Sequence, residues 1–117
     1  MKQGIVLLAH GSKDPEWSRP FERLAASVEK KLPAVAVALA YLEHGPSLAE
    51  ALAALVAKGA GSIRLVPVFL GAGGHVREDI PRLVAAANSP VKVVVDPPIG
   101  EQAPVVEAIA SAIAAGR

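Results

Sequence analysis

Short, largely apolar runs alternate along the chain with longer segments of helical period. Gly4–Ala9 (GIVLLA), Val35–Tyr41, Ile63–Phe69 and Val91–Val95 have no polar face, or nearly none, as expected of strands covered on both sides. Their β-branched content favours strand over helix, most clearly in VKVVV; the alanine-rich VAVALAY is carried by pattern more than by propensity. Between these runs the spacing predicts helices over Pro15–Lys31, Ser47–Lys58, Asp79–Asn88 and Glu101–Ala115. Asp14 caps the first, with Pro15 in its first turn and Pro20 marking either a kink or a later start. Ser47-Leu48-Ala49-Glu50 is a capping box for the second, which Gly59 and Gly61 end. The third has Pro81 near its start and Pro90 beyond its end. In the fourth, Val105, Val106, Ile109 and Ile113 form an apolar stripe, read as core.

The order is βαβαβαβα. Apolar strands alternating with amphipathic helices imply an α/β sandwich of three layers: a four-stranded, mostly parallel sheet with helices on both faces and right-handed crossovers. At 117 residues the chain reads as one domain over 1–117.

Composition removes several classes of function. Half of the chain is apolar (52%), enough for a real core, and 12 Lys+Arg stand against 11 Asp+Glu, which provides no broad cationic surface for nucleic acid. The absence of cysteine excludes disulfides, thiolate metal sites and cysteine nucleophiles. Four aromatic residues, Trp17, Phe21, Tyr41 and Phe69, are too few for a single-strand stacking platform. The longest apolar stretch, about Leu32–Leu42, is far short of the ~20 residues of a spanning helix, and the first residues lack a signal-peptide core and cleavage site. The expected setting is the cytoplasm, with no membrane contact.

In an open parallel sheet, ligands bind at the carboxyl ends of the strands. Three such ends carry reactive groups here: His10 in Ala9-His10-Gly11-Ser12, Glu43 and His44 in Tyr41-Leu42-Glu43-His44-Gly45-Pro46, and His75 after Gly71-Ala72-Gly73-Gly74. Two imidazoles and a carboxylate suit a borderline divalent metal such as Co, Ni, Fe or Zn. Three protein ligands with an open position describe a catalytic or transfer site. No local metal motif exists, because 33 residues separate His10 from Glu43 and 32 separate Glu43 from His75; the fold has to assemble them. Gly71, Gly73 and Gly74 let backbone approach a large flat ligand. Taken singly, each of these residues also reads as an ordinary loop group: His44 beside a Gly-Pro turn is a solvated turn residue, and Trp17 and Phe21, four apart, are core contacts. The coincidence of two histidines and a glutamate at three strand ends favours the functional reading.

Four segments carry a family resemblance over essentially the whole chain: LLAHGSKDP, YLEHGPSLAEAL, VPVFLGAGGHVREDIP and DPPIG. In this order and spacing they resemble the small CbiX-type chelatases, grouped with the sirohydrochlorin cobaltochelatases and related ferrochelatases. The resemblance implies a chelatase-like fold and insertion of Co²⁺, alternatively Fe²⁺ or Ni²⁺, into sirohydrochlorin or a similar tetrapyrrole. The divalent metal is then a substrate, and no organic cofactor is implied. His10 and His75 match the family's two active-site histidines, and Glu43 matches a carboxylate that helps to hold the metal. His44 matches no functional position. Because larger relatives contain two such halves facing one cleft, a chain of this length is expected to pair as a homodimer. The histidine-rich tail of some relatives is missing, which argues against metal storage.

Insertion requires the metal to be held and stripped of water, two pyrrole N–H protons to leave, and the macrocycle to bend. His10 and His75 are expected to act as ligand and proton acceptor, since imidazole titrates near ~6.5 in model compounds. Glu43 would retain the cation or take a proton. Metal and protons compete for imidazole, so activity should fall on acidification. For the substrate's eight carboxylates the expected contacts are Ser12, the backbone of Gly73 and Gly74, and Arg77 first among the cations, then Lys13 and Arg19, with helix N-termini assisting. A charge reversal at Arg77 should then raise KM for the tetrapyrrole. Two rivals share these features. A histidine phosphatase also places His-Gly after its first strand, but it needs an arginine where Ala9 stands. A carrier would bind metal or tetrapyrrole through the same residues without turnover. A dinucleotide site is weaker, because no G-x-G-x-x-G follows the first strand.

Overall fold

The structure, a computed structural model, describes residues 2–71 and 73–116; the side chains at positions 74 and 75 are not described. Four strands, β1 (Lys2–Ala9), β2 (Ala36–Tyr41), β3 (Ala60–Pro67) and β4 (Lys92–Val95), form one sheet in the order β2-β1-β3-β4. Every pair is parallel. The helices are α1 (Pro15–Lys31), α2 (Leu48–Ala57), α3 (Gly74–Ala87) and α4 (Ala103–Ala114), the last preceded by a 3-10 turn at Ile99–Glu101. The expected α/β sandwich is present.

Period-two alternation divides the core between the two faces. Val6, Leu8, Ile63 and Leu65 point to one side, where Leu48, Ala51, Leu52 and Leu55 of α2 and Ile80 of α3 cover them. Ile5, Leu7 and Val66 point to the other, where Ala25 and Val28 of α1 meet them. The two helices that follow β2 and β3 share a face because both crossovers step the same way across the sheet with the same hand. The first side is closed: Leu8, Leu55 and Leu65 are fully buried, each contributing about 2 kcal/mol.

The second side is not closed. An apolar groove of about 250 Å³ lies beside α1, lined by Ile5, Leu7, Leu24, Leu32, Val66, Val68 and Ile99. Helix α4, whose stripe was expected in the core, does not fill it. Val106, Ile109 and Ile113 remain 48%, 37% and 72% exposed, and α4 has no buried residue.

The first helix spans Pro15–Lys31 as expected, whereas the start of the third departs from the sequence pattern. Proline is expected in a first turn, so Pro81 suggested a start near Asp79; α3 instead begins at Gly74 and runs through Pro81. Pro20 likewise lies inside α1. In both cases the carbonyl four residues earlier, on Glu16 and on Arg77, belongs to an exposed residue, so the loss of its N–H donor is not a loss in the core. The third strand begins at Ala60, ahead of the apolar run, because β1 starts at Lys2 and provides pairing partners there.

Candidate active site at the carboxyl ends of the strands

The strand order puts β2, β1 and β3 side by side, so the segments after them are neighbours. The ladder between β1 and β2 continues beyond both strands: Leu42 N–H donates to Ala9 O at 3.0 Å and Glu43 N–H to His10 O at 2.9 Å. That continuation fixes His10 against Glu43. The imidazole Nε2 stands 3.6 Å from the Glu43 carboxylate Oε2, with side chains 58% and 60% exposed. Gly11 makes the approach possible. Its φ is +98°, and a Cβ here would collide with the Glu43 carbonyl oxygen, so only glycine lets the two backbones lie this close.

His10 and Glu43 open onto a broad cleft of about 600 Å³, whose other walls are Leu42 from β2's end and Val76, Asp79, Arg82, Leu83 and Ala86 from α3. A smaller polar pocket lies on the other side of Glu43, lined by Ser12, Lys13, Asp14, Trp17, Tyr41 and His44 among others. Here Ser12 Oγ accepts from Asp14 N–H at 3.2 Å and Asp14 Oδ1 accepts from Glu16 N–H at 2.9 Å, which occupies the N-terminus of α1. Burial, and then the nearby Glu22, raise the Tyr41 phenol above its ordinary value. It is therefore an O–H at neutral pH, not a base. Trp17, Phe21 and Tyr41 form an aromatic cluster, with Trp17 and Phe21 centroids 4.7 Å apart, but Trp17 and Phe21 are only partly buried and lie outside both halves of the core in which they were expected.

His75 lies in the first turn of α3, after β3, where its backbone joins the same end of the sheet as His10 and Glu43; its imidazole, and with it the complete trio, lies outside the described residues. Among the described residues no group of three metal-ligating side chains converges. Gly73 is the N-cap of α3, with open space where a Cβ would stand and its carbonyl accepting from Arg77 N–H. Gly74 begins the helix, so the glycine loop is shorter than the sequence suggested. His44 sits exposed with φ +63° in the turn after β2.

The cations sort differently from the sequence-based ranking. Arg77 donates to Glu101 Oε2 at 2.9 Å and lines a separate cleft with Pro67, Asp96 and Pro98. Arg19 pairs with Glu16 at 3.0 Å. Arg82, which the sequence reading passed over, lines the His10–Glu43 cleft. The helical period alone could have found it: Arg82 is seven residues after His75, two turns along one face, whereas Arg77 is two residues on and nearly opposite.

A model of the CbiX family matches residues 4–115. A sirohydrochlorin cobaltochelatase of Saccharolobus solfataricus is 41% identical over 91 residues, 77% of this chain and 70% of that protein. One from Sulfolobus acidocaldarius is 32% identical over 97 residues, 83% and 78% of the two chains. Among solved structures, a CbiX protein from Marinobacter aquaeolei superposes with TM-score 0.81 at 34% identity, over 97% of this chain and 96% of that one. The sirohydrochlorin chelatase SirB from Bacillus subtilis, in complex with cobalt, superposes with TM-score 0.82 at 26% identity, over 97% of this chain but 50% of its own. With the family match spanning nearly the whole sequence, the chain belongs to the CbiX family.

Proposed function

We propose that this chain inserts Co²⁺, with Fe²⁺ or Ni²⁺ as alternatives, into sirohydrochlorin or a closely related tetrapyrrole. The observation that carries the reading is the pairing of His10 Nε2 with Glu43 Oε2 across two adjacent strand ends, at the mouth of a cleft with apolar walls. An exposed imidazole–carboxylate pair adds little to stability, so its fixed position serves something other than folding. Borderline divalent cations take both donor types. The apolar walls suit the face of a macrocycle. The names of the relatives point to the same substrate and metal.

In this reading His10 and Glu43 hold the incoming cation and replace part of its water shell. His75, which enters through the family resemblance and its place at the start of α3, completes the set. As the ring nitrogens take the metal, two pyrrole protons leave; the imidazoles and the Glu43 carboxylate accept them and release them to solvent. Ser12 and the Gly73–Gly74 backbone border the ring.

The working form is a homodimer. A parallel α/β sheet is stable with both faces covered; here one face keeps an open apolar groove while α4 of the same chain exposes an apolar stripe. SirB, which superposes on this chain with half of its own length, has room for a second unit of this size in one polypeptide.

The deciding experiment follows the visible spectrum of sirohydrochlorin mixed with Co²⁺, and in parallel Fe²⁺ and Ni²⁺, with and without the protein. The expected result is acceleration over many turnovers, lost in His10→Ala and in His75→Ala. A spectral change that saturates at one equivalent would replace catalysis by a carrier role; no acceleration with any metal would overturn the reading for this tetrapyrrole.

A further inference from the structure

We propose that Arg82 binds a peripheral carboxylate of the tetrapyrrole and thereby sets the preference for a ring rich in carboxylates. The inference rests on the chelatase reading above and adds a specificity residue to it. Four features of the cleft carry it.

The first is position. Arg82 stands seven residues after His75 in α3, which is two helical turns, or about 10 Å, along the same face. Val76, Asp79, Leu83 and Ala86 continue that face as the wall of the cleft. A guanidinium there is offset from the metal-handling end in the direction in which a flat ring would extend. The second is availability. Among the described residues Arg82 is exposed and has no ion pair or side-chain hydrogen bond. Arg77 and Arg19 are held by Glu101 and Glu16.

The third is charge. Without Arg82, the ionisable side chains described in the cleft are His10, Glu43 and Asp79, and the two carboxylates repel an anionic substrate. A cation is needed to offset them, and Arg82 is the one that lines the cleft. The fourth is geometry of recognition. A guanidinium grips a carboxylate through two parallel N–H donors, which fixes orientation as well as affinity. Anchored at the rim, the macrocycle cannot rotate freely over His10 and Glu43.

The test compares wild type, Arg82→Ala, Arg82→Lys and Arg77→Ala. Two readouts are used: steady-state Co²⁺ insertion, and equilibrium binding of metal-free sirohydrochlorin followed by absorbance. Arg82→Ala should raise KM and Kd for sirohydrochlorin about tenfold or more, with kcat changed much less. Arg82→Lys should recover part of the loss, and Arg77→Ala should leave both constants near wild type. A porphyrin with only two carboxylates should bind wild type and Arg82→Ala alike. Co²⁺ affinity and the thermal midpoint should not move, which separates substrate binding from a structural effect. Unchanged Kd in Arg82→Ala, or an equal loss with the two-carboxylate ring, overturns the proposal. If wild type binds sirohydrochlorin but does not insert metal, the chelatase reading fails while the Kd comparison still decides the role of Arg82. If wild type binds no sirohydrochlorin, both fail.

Discussion

His10 Nε2 and Glu43 Oε2 stand 3.6 Å apart, although 33 residues of chain and a complete crossover helix separate them. The separation is long for a hydrogen bond and suits two groups that share a cation. With both side chains more than half exposed, their mutual attraction in the free protein is weak. His10→Ala should therefore leave the thermal midpoint nearly unchanged while lowering kcat for metal insertion about 100-fold or more. Glu43→Gln should weaken Co²⁺ binding, measured by calorimetry, with a smaller loss in kcat. A His10→Ala protein that retains full turnover removes the pair from the mechanism.

Gly11 gives a second expectation. Its φ of +98° and the adjacent Glu43 carbonyl leave no place for a side chain. Gly11→Ala should cost about 1–3 kcal/mol in strain alone, and it should push the His10 and Glu43 backbones apart. Chemical denaturation reads the first effect. Co²⁺ affinity reads the second and should fall even at temperatures where the variant is fully folded.

The capping box of α2 predicts a pH dependence. Ser47 Oγ accepts from Glu50 N–H at 3.2 Å, and the Glu50 carboxylate accepts from Ser47 N–H at 3.1 Å. The Ser47 backbone N–H, and then its hydroxyl, hold the Glu50 carboxyl below its ordinary value. A lowered carboxyl value stabilises the fold when the group is ionised. That contribution is complete above the unfolded value near 4.5 and disappears as pH falls through the lower folded value. The stability difference between wild type and Glu50→Gln should thus hold steady from neutral pH down to about 4.5 and shrink over the acid range below it. A difference that is constant over this range would mean that the ionised carboxylate is not what holds the box.

The exposed stripe on α4 predicts the assembly state. Ile109→Asp together with Ile113→Asp should convert the expected dimer to a monomer in light scattering, and insertion activity should fall with it. In an isolated copy Ile113 is 72% exposed and Ile109 37%, so a monomeric protein would stay folded after both changes, with a stability loss confined to the partly covered Ile109. That tolerance, with activity retained, would refute the pairing.

The layout of strands and helices was legible because each strand run is apolar but for Arg64 and Lys92, and because α1 and α2 begin beside a recognisable signal, Asp14 and Ser47. The start of α3 was not, since Pro81 reads as a boundary in sequence and is tolerated where the freed carbonyl belongs to an exposed residue. Placing His10 beside Glu43 followed from the rule that parallel strands deliver their carboxyl ends together, and it needed no local motif. Arg77 drew the role of carboxylate contact by proximity to His75 in sequence. Two residues along a helix is a rotation of about 200°, which carries Arg77 to the side away from His75, and the structure puts Arg82 in the cleft. The stripe of α4 has helical period whether a helix lies under the sheet or against another surface, so periodicity alone could not say that it stays uncovered.

The hydrogen bonds from Leu42 to Ala9 and from Glu43 to His10 tie the backbone of the His10–Glu43 pair to the end of the sheet. Opening this corner means unzipping the end of the β1–β2 ladder, so these two amides should exchange with solvent on the slow timescale of the strands. The backbones that carry the imidazole and the carboxylate are then held side by side before any cation arrives. Under the proposed metal-handling role, the adjustment to a cation's size falls on two exposed side chains that change rotamer, and the backbone beneath them stays in place.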